Sequence, residues 1–160
     1  MEIRFAQPED IPGILDLLLQ VGQVHHLGRP DIFRAGAQKY NDRQVLAMLD
    51  RRDDPIFVAT EGGKVLGYGF CFLKVHENDP VIADFRELYI DDLCVDESCR
   101  GQQVGKQLYR HICDYAKTLG CRSVTLNVWS CNPGAMAFYE KMGMLPQKVG
   151  MEMILEDAEC

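Results

Sequence analysis

The sequence changes from a strand pattern to a helix pattern within Val95-Asp96-Glu97-Ser98-Cys99-Arg100-Gly101-Gln102-Gln103-Val104-Gly105-Lys106. Backbone N–H groups at the start of a helix are unpaired and lie at the positive end of the helix dipole, so this loop suits an anion such as phosphate. Gly101 and Gly105 let a ligand approach the backbone, and Arg100 and Lys106 add positive charge. The spacing is neither that of a Walker A loop nor G-x-G-x-x-G. A tight loop before a surface helix is an equally good reading of this segment alone.

The residues around this loop predict a strand, a helix and a second strand. A long strand pattern runs over Val81 to Val95, and apolar residues recur at helical spacing from Val104 to Leu119. Gly120 ends that helix, after which Val124, Leu126 and Val128 alternate as the next strand. A strand, helix and strand in this order form a crossover whose two strands are parallel.

Further elements are predicted on both sides of the crossover. Towards the C-terminus, Asn132-Pro133 opens a helix that Gly143 ends, and Met151, Met153 and Leu155 alternate as a last strand. Towards the N-terminus, the predictions are a strand at Ile3 and Phe5, a helix capped by Asp10, loop and short helix over residues 22–42, a helix from Gln44 to Arg52, and strands Ile56–Ala59 and Val65–Leu73 joined by a Gly62-Gly63 hairpin. These elements predict an α/β fold with a mixed sheet, antiparallel first and parallel through the middle, in a single domain over residues 1–160.

Composition narrows the class of protein. The chain has 160 residues, a net charge of −7 and 47% hydrophobic residues, which is typical of one soluble domain and not of a disordered chain. An acidic balance argues against a nucleic-acid partner. From Arg100 to Cys113 there are three basic residues and no acidic one, so the rest of the chain carries −7 less those three positive charges, or −10.

Targeting and cysteine patterns favour a cytoplasmic protein. No apolar run approaches the length of a membrane span, and the N-terminus lacks the pattern of a signal peptide. The seven cysteines are odd in number and no two form C-x-x-C, which predicts reduced thiols and no metal site.

Two motifs together resemble the GNAT superfamily of acetyl-CoA-dependent N-acetyltransferases. The first motif is matched by the loop and the second by the following helix, and the clear resemblance covers Ile82 to Met144. The matching residues are Arg100, Gly101, Gln102, Val104, Gly105 and Lys106, then Asn132, Ala135, Phe138, Tyr139, Glu140 and Gly143. One departure is Gln103, which stands where the family has the central glycine of the loop. The resemblance implies the GNAT-like acyl-CoA N-acyltransferase fold, with a central parallel strand pair splayed to hold CoA.

The resemblance also implies how acetyl-CoA would bind as co-substrate. The diphosphate would lie on the amides of Arg100, Gly101, Gln102, Gln103, Val104, Gly105 and Lys106. Pantetheine would pair with the backbone of Leu93, Cys94 and Val95, and one freed N–H there would polarise the thioester carbonyl. Asn132 would both cap its helix and bond the pantetheine arm, although capping alone accounts for an asparagine there. The second partner would be an amine on a small molecule or a peptide. A homodimer is also implied, because many members of this family dimerise.

Catalytic roles follow from the resemblance as well. Tyr139 would be the general acid that protonates the departing thiolate, although a tyrosine on an apolar helical face is usually part of the core. The base that takes the proton of the amine would be a carboxylate on the preceding strand: Asp91, Glu87 or Asp92. Asp91 lies four residues before Val95, as the carboxylate does in some family members. Asp92 would point to the opposite face of a regular strand, unless a bulge intervenes.

Three functions compete at this point. The first is an N-acetyltransferase in which the amine attacks acetyl-CoA directly in a ternary complex. The second is a binding module of the same fold that senses acyl-CoA without turnover. The third is a cysteine enzyme using Cys94 or Cys131. The acceptor site is weakly encoded: His25, His26, Arg29, Asp31, Tyr89 and Trp129 would line it, although a surface loop explains the histidines equally well.

Overall fold

A five-stranded sheet with helices on both faces forms the core of the computed structural model, which describes residues 1–155. The strands are β1 (Glu2–Phe5), β2 (Ile56–Glu61), β3 (Lys64–His76), β4 (Phe85–Val95) and β5 (Ser123–Leu126). The helices are α1 (Ile11–Gly28), α2 (Asp42–Met48), α3 (Val104–Thr118) and α4 (Pro133–Lys141). The strands lie in chain order; β1 to β4 pair antiparallel, and β4 and β5 pair parallel. The predicted mixed α/β sheet is therefore confirmed.

Each face of the sheet buries its own apolar layer. On one face, α1 and α2 cover the side chains of Tyr68 and Phe70. On the other face, α3 covers Leu88 and Ile90, and the apolar side of α4 packs at its margin. Helix α3 lies directly on β3, because a Cβ atom added to Gly69 would lie only 2.7 Å from Ile112 Cδ1. The two layers hold α1, α3 and α4 around the C-terminal half of β4.

Helix α1 is longer than the sequence suggests. The sequence predicts loop and short helix over residues 22–42, but α1 continues to Gly28. Its glycines permit close contacts: a Cβ atom on Gly22 would overlap Ala37 O, and one on Gly28 would lie 2.7 Å from Cys131 Sγ. The expected cap also differs, since the Asp10 carboxylate binds Arg4 and the Gln7 amide instead of the start of α1.

Two strands are shorter than expected. Strand β4 begins at Phe85 and not near Val81, because the Asp79 side chain accepts hydrogen bonds of 2.8 Å from the amides of Val81 and Ile82 and holds them in a turn. Strand β5 ends at Leu126, so Val128 lies outside it. Both parallel strands nevertheless follow the predicted crossover through α3.

The last predicted strand is wrong. Met151 and Met153 lie in a segment, residues 145–154, that belongs to no helix or strand. Alternating apolar residues indicate a strand with one buried face, but these side chains are exposed, and no strand among residues 1–155 pairs with them. None of the helices in that range is long and apolar enough to cross a membrane.

Candidate active site

Strands β4 and β5 separate halfway along β4. Their parallel pairing runs from Glu87 opposite Ser123 to Ile90 opposite Leu126. Beyond that point β4 continues to Val95 while pairing only with β3. Unpaired strand edges present backbone N–H and C=O groups to any extended ligand. The predicted splayed pair is therefore present, and Leu93, Cys94 and Val95 lie along its open edge.

The loop after β4 is built to expose backbone amides. Asp96 fixes its start: the Asp96 carboxylate accepts hydrogen bonds from Ser98 and binds Lys64 Nζ at 2.7 Å, and these contacts, that of Lys64 first, lower the pKa of Asp96 to about 2. The first helical hydrogen bond of α3 runs from Gln107 N to Gln103 O, 3.0 Å. The amides that precede it, those of Val104, Gly105 and Lys106, are the unpaired donors of the helix start.

Gln103 adopts the backbone conformation that the family glycine would take easily. Its φ of +64° lies in the left-handed region, which costs a residue with a side chain roughly 1–2 kcal/mol. Gly101, at φ +81°, makes the other left-handed turn of the loop. Gln103 therefore carries local backbone strain that a glycine at this position would avoid.

Gly105 brings three elements together at the site. A Cβ atom added there would lie 3.3 Å from Val95 Cγ2 and 3.5 Å from the ring of Phe138. The absence of a side chain thus lets the first turn of α3 rest against both the end of β4 and helix α4. Arg100, in contrast, is exposed on the loop where an anion could reach it.

Asn132 caps α4 as expected. The Asn132 Oδ1 atom accepts a hydrogen bond from the amide of Ala135 at 3.1 Å. This contact occupies the side-chain oxygen and fixes where α4 begins, one turn before Phe138 and Tyr139. The second role expected for Asn132, a bond to pantetheine, stays a prediction.

Tyr139 lies in an aromatic cluster at the margin of the core. Its ring centroid is 5.1 Å from that of Phe138 and 6.3 Å from that of Tyr109. Burial raises the pKa of Tyr139 well above its ordinary value, and the nearby charge of Asp92 raises it further. The hydroxyl therefore holds its proton at neutral pH.

A bulge in β4 places two carboxylates on one face of the sheet. Phe70 pairs with Asp92 and Cys71 pairs with Ile90, which leaves Asp91 as an extra residue between them. The bulge that the sequence left open is therefore present, and Asp91 and Asp92 do not lie on opposite faces as they would in a regular strand. Both carboxylates accept hydrogen bonds from tyrosines, Tyr40 and Tyr68, in the apolar layer beneath α1 and α2.

The two carboxylates differ in their partners. The Asp91 carboxylate accepts a hydrogen bond from the Tyr40 hydroxyl at 2.7 Å and pairs with Lys39 Nζ at 2.7 Å. The Asp92 carboxylate accepts one from the Tyr68 hydroxyl at 3.0 Å. Burial raises the pKa of Asp92 to about 6, against a lowering effect of Lys39. Asp91 thus has a cation of its own, whereas Asp92 is a carboxylate whose burial favours its neutral form.

Glu87 lies away from this group. It is nearly buried, and its carboxylate is 3.4 Å from Nε2 of His76, whose ring stacks on Phe85. Five residues of strand separate it from Asp92, or about 16 Å. The structure therefore does not bring Glu87 to Asp91 and Asp92.

The residues expected at the acceptor side are gathered around Phe33. Its ring centroid lies 4.9 Å from that of His25 and 5.0 Å from that of Trp129, and its carbonyl is 2.7 Å from His26 Nδ1. Arg29 pairs with Asp31 at 2.7 Å and with Glu152 at 2.9 Å. These contacts join the end of α1 to the loop between β5 and α4.

Tyr89 also lies on the acceptor side of the site. Lys39 and Tyr40, which the sequence did not indicate, lie there as well. The Tyr89 hydroxyl accepts a hydrogen bond from Asn127 Nδ2 at 3.1 Å, and Lys74 Nζ lies 3.5 Å from the Tyr89 ring centroid. Lys39 and Tyr40 reach Asp91 from about fifty positions earlier in the chain. No local pattern links residues so far apart, so they could not have been found from the sequence.

The cysteines near the site are packing residues. Cys94 is buried, its thiol approaches Leu17 O at 3.6 Å, and burial raises its pKa to about 12. A thiol with such a pKa is not the thiolate that a nucleophile requires. Cys131 packs against Gly28 at the end of α1. Among residues 1–155, no group of three or more His, Cys, Asp or Glu side chains is arranged to hold a metal ion.

Comparisons with known proteins agree with this geometry. The chain is similar to the BH1408 protein of Bacillus halodurans, whose crystal structure, that of a point mutant, has a TM-score of 0.92 and 31% identity, with 97% of this chain and 99% of that one covered. It is 28% identical to thialysine N-epsilon-acetyltransferase of Bos taurus, over 88% of this chain and 82% of that protein.

A third relative matches a shorter part of the chain. Glucosamine 6-phosphate N-acetyltransferase of Arabidopsis thaliana is 36% identical over 63 residues, which is 39% of this chain and 40% of that protein. The matched region thus spans well under half the length of that curated relative. The family model described as the acetyltransferase (GNAT) family matches residues 23–144. This range includes the open edge of β4, the loop between β4 and α3, and Tyr139. Because the family model covers more than half of the chain, the chain belongs to the acetyltransferase (GNAT) family.

Proposed function

We propose that this protein transfers the acetyl group of acetyl-CoA to a primary amine of a small molecule, by direct attack of the amine in a ternary complex. The observation that carries the proposal is the open edge of β4, which ends at the unpaired amides of the start of α3. The bovine and plant relatives are named for acetylating the amines of thialysine and glucosamine 6-phosphate. Both names describe small amines, which is why a small acceptor is proposed here.

The residues present fit acetyl-CoA as the co-substrate. The unpaired amides of Val104, Gly105 and Lys106 suit a diphosphate, and Arg100 and Lys106 supply positive charge where the chain is otherwise acidic. The open edge from Leu93 to Val95 suits the amide groups of pantetheine. Acetyl-CoA would supply an activated acetyl group as a thioester.

Tyr139 would provide the proton that the leaving group needs. When the amine nitrogen bonds to the acetyl carbon and the carbon–sulfur bond breaks, the sulfur leaves as a thiolate, and the Tyr139 hydroxyl would donate its proton to it. Burial and Asp92 keep Tyr139 protonated before that moment. A thiol has an ordinary pKa of about 8.5, below that of a tyrosine, so the step is completed only when Tyr139 regains a proton, and the proton that the amine loses to the base balances it.

Asp92 is the favoured base among the three carboxylates. Its pKa of about 6 lies close to neutral pH, where a general base is most effective. Asp91 remains a second candidate. Because Lys39 and Tyr40 already bind Asp91, its better role is to fix the bulge that presents Asp92. Glu87 is the least favoured, since it lies with His76 at the far end of the strand.

The test is a thiol-release assay with acetyl-CoA and a panel of small amines. Tyr139→Phe should lower turnover by about 10²–10⁴-fold while the affinity for CoA changes little. Tyr109→Phe is the matched control, because Tyr109 belongs to the same aromatic cluster. Equal turnover in the Tyr139 variant and the wild type would refute the role of Tyr139.

The pH profile separates the two neighbouring carboxylates. With Asp92 as base, the rate of acetyl transfer should fall below pH 6. Asp92→Asn should abolish most of the rate and this fall with pH, whereas Asp91→Asn should keep the fall.

The alternative function, an acyl-CoA sensing module, predicts a different result altogether. In that case CoA binds normally, but no amine of the panel is acetylated.

A further inference from the structure

Lys74 and Glu87 lie directly opposite each other on β3 and β4, yet their charges do not pair. Opposite charges in such positions commonly form an ion pair. Here the Glu87 carboxylate lies 3.4 Å from His76 Nε2, and Lys74 Nζ lies 3.5 Å from the centroid of the Tyr89 ring. Tyr89 is two residues further along β4 than Glu87. The Lys74 ammonium is therefore turned from the carboxylate across the strand towards the acceptor side of the site.

The other cations on the acceptor side have carboxylate partners. Lys39 pairs with Asp91, and Arg29 pairs with two carboxylates. Lys74 is exposed, and no ion pair within residues 1–155 includes it. Its contact with the Tyr89 ring holds the ammonium in place by charge and leaves its three N–H donors for other partners. Within the described residues, Lys74 is thus the cation of this side that a ligand can use.

A second hydrogen-bond donor lies beside Lys74. The side-chain amide of Asn127 donates a hydrogen bond of 3.1 Å to the Tyr89 hydroxyl. An amide nitrogen carries two N–H groups, so one N–H of Asn127 is left for a further partner. Lys74 and Asn127 contact the same tyrosine side chain from β3 and from the end of β5, so both lie within reach of one ligand. An ammonium and an amide N–H are donors that suit a carboxylate or a phosphate.

We propose that Lys74, together with Asn127, selects acceptors that carry an anionic group, a carboxylate or a phosphate, besides the amine that is acetylated. The proposal rests on the proposed function, because it names the acceptor of that same site. Three residues of strand, or about 10 Å, separate Tyr89 from Asp92, the favoured base. A molecule of roughly the length of 6-aminohexanoate, with a hydrogen bond of about 3 Å at each end, spans this distance. The acceptor is therefore a small amine that is anionic at its far end.

The charge of the rest of the molecule makes Lys74 decisive for such an acceptor. The chain carries a net charge of −7, and the carboxylates of Asp91 and Asp92 lie on the same side of the site. A negative field disfavours an anionic acceptor unless a local cation offsets it. Because Lys74 lies far from the reacting atoms, it binds the acceptor equally before and during the reaction. It should therefore change KM and leave kcat unaltered.

The test compares matched pairs of acceptors that differ in the anionic group. The pairs are 6-aminohexanoate with 6-aminohexanamide, and 4-aminobutyl phosphate with 4-aminobutanol. For at least one pair, the wild type should acetylate the anionic member with a kcat/KM higher by about tenfold or more. The preferred pair distinguishes a carboxylate from a phosphate. Lys74→Met should abolish the preference through KM, whereas Lys74→Arg, which keeps the charge, should retain it.

Lys117→Met is the matched control. It removes the same charge from an exposed lysine on α3, so the preference should remain. Equal loss of the preference in Lys117→Met and Lys74→Met would reveal an effect of net charge alone and would overturn the proposal. A wild type that prefers neither anionic acceptor, or a preference that survives in Lys74→Met, overturns it as well. Thermal unfolding confirms that each variant is folded.

Failure of acetyl transfer is a separate result. If no amine is acetylated, the proposed function fails, and the same pairs are compared by calorimetry through their Kd for the protein saturated with CoA. Tighter binding of an anionic member that Lys74→Met abolishes still supports the role of Lys74. Equal Kd values within both pairs, or no binding of any acceptor, overturn it. Acetylation of all four amines at equal kcat/KM overturns the role of Lys74 and leaves the proposed function standing.

Discussion

Replacing Asp92 by asparagine should stabilise the folded protein at pH 7 while it lowers the rate of acetyl transfer. Burial raises the pKa of Asp92 from 3.8 to about 6, so ionising it costs more in the fold than in the unfolded chain. This difference between the two pKa values corresponds to about 3 kcal/mol of free energy. Because Asp92 is partly exposed, solvent reduces this value, and we expect a gain of about 1–3 kcal/mol for the variant.

The stability difference between the wild type and Asp92→Asn should depend on pH in a direction that identifies Asp92 as its source. A raised folded-state pKa favours folding when the group is protonated, so the cost of Asp92 is absent below its unfolded pKa of 3.8 and complete above its folded pKa of about 6. Asparagine keeps an oxygen that can accept the hydrogen bond of Tyr68. Urea unfolding of wild type and Asp92→Asn should therefore differ at pH 7 and converge as the pH falls to 4.

Asp91→Asn is the control for this experiment. It removes the charge one residue away and breaks the ion pair with Lys39, so it should not stabilise the protein at pH 7. The reasoning is refuted if Asp92→Asn is no more stable than the wild type at pH 7, or if its gain is the same at pH 4.

Three further predictions concern the framework and the loop. Gly22→Ala should destabilise the protein by at least about 1 kcal/mol in urea unfolding, although alanine usually stabilises a helix, because its Cβ atom would overlap Ala37 O; a stabilised variant would contradict the close contact. Asn132→Ala should lose about 1 kcal/mol with the cap of α4, measured by thermal unfolding; an unchanged midpoint would mean that the cap contributes nothing. Arg100→Ala and Lys106→Ala should raise the Kd for CoA and reduce its salt dependence, measured by calorimetry; variants with wild-type affinity would exclude both side chains from the anion site.

Local signals predicted the crossover and the second motif because the determining residues are neighbours in sequence. The apolar spacing of α3, the Asn132 cap and the turn at Gly62 and Gly63 are all short-range features. The same signals failed for α1, where a mixture of Gly, His, Arg and Pro residues suggested loop and short helix from residue 22 onward. Gly22 is instead required by a contact with a distant loop, which no local pattern reports.

The chemistry of the site depended on a feature without a sequence pattern. The bulge at Asp91 arises from the pairing of β4 with β3, and it reverses which carboxylates share a face. The partners Lys39, Tyr40 and Tyr68 come from other elements, so the difference between Asp91 and Asp92 is a property of the fold. Tyr139, in contrast, could be named as a candidate from the sequence because the motif that contains it is contiguous.

The open edge of β4 leaves the sheet incomplete between β4 and β5. Amide hydrogens along residues 91–95 that point away from β3 should exchange with solvent deuterium faster than those of the paired half, although both belong to one strand. A co-substrate bound along this edge would slow that exchange. At a concentration of one hundred times its Kd it would also add about 2.7 kcal/mol to the free energy of unfolding, which raises the midpoint of thermal unfolding. Binding would then complete the fold as well as supply the reactant.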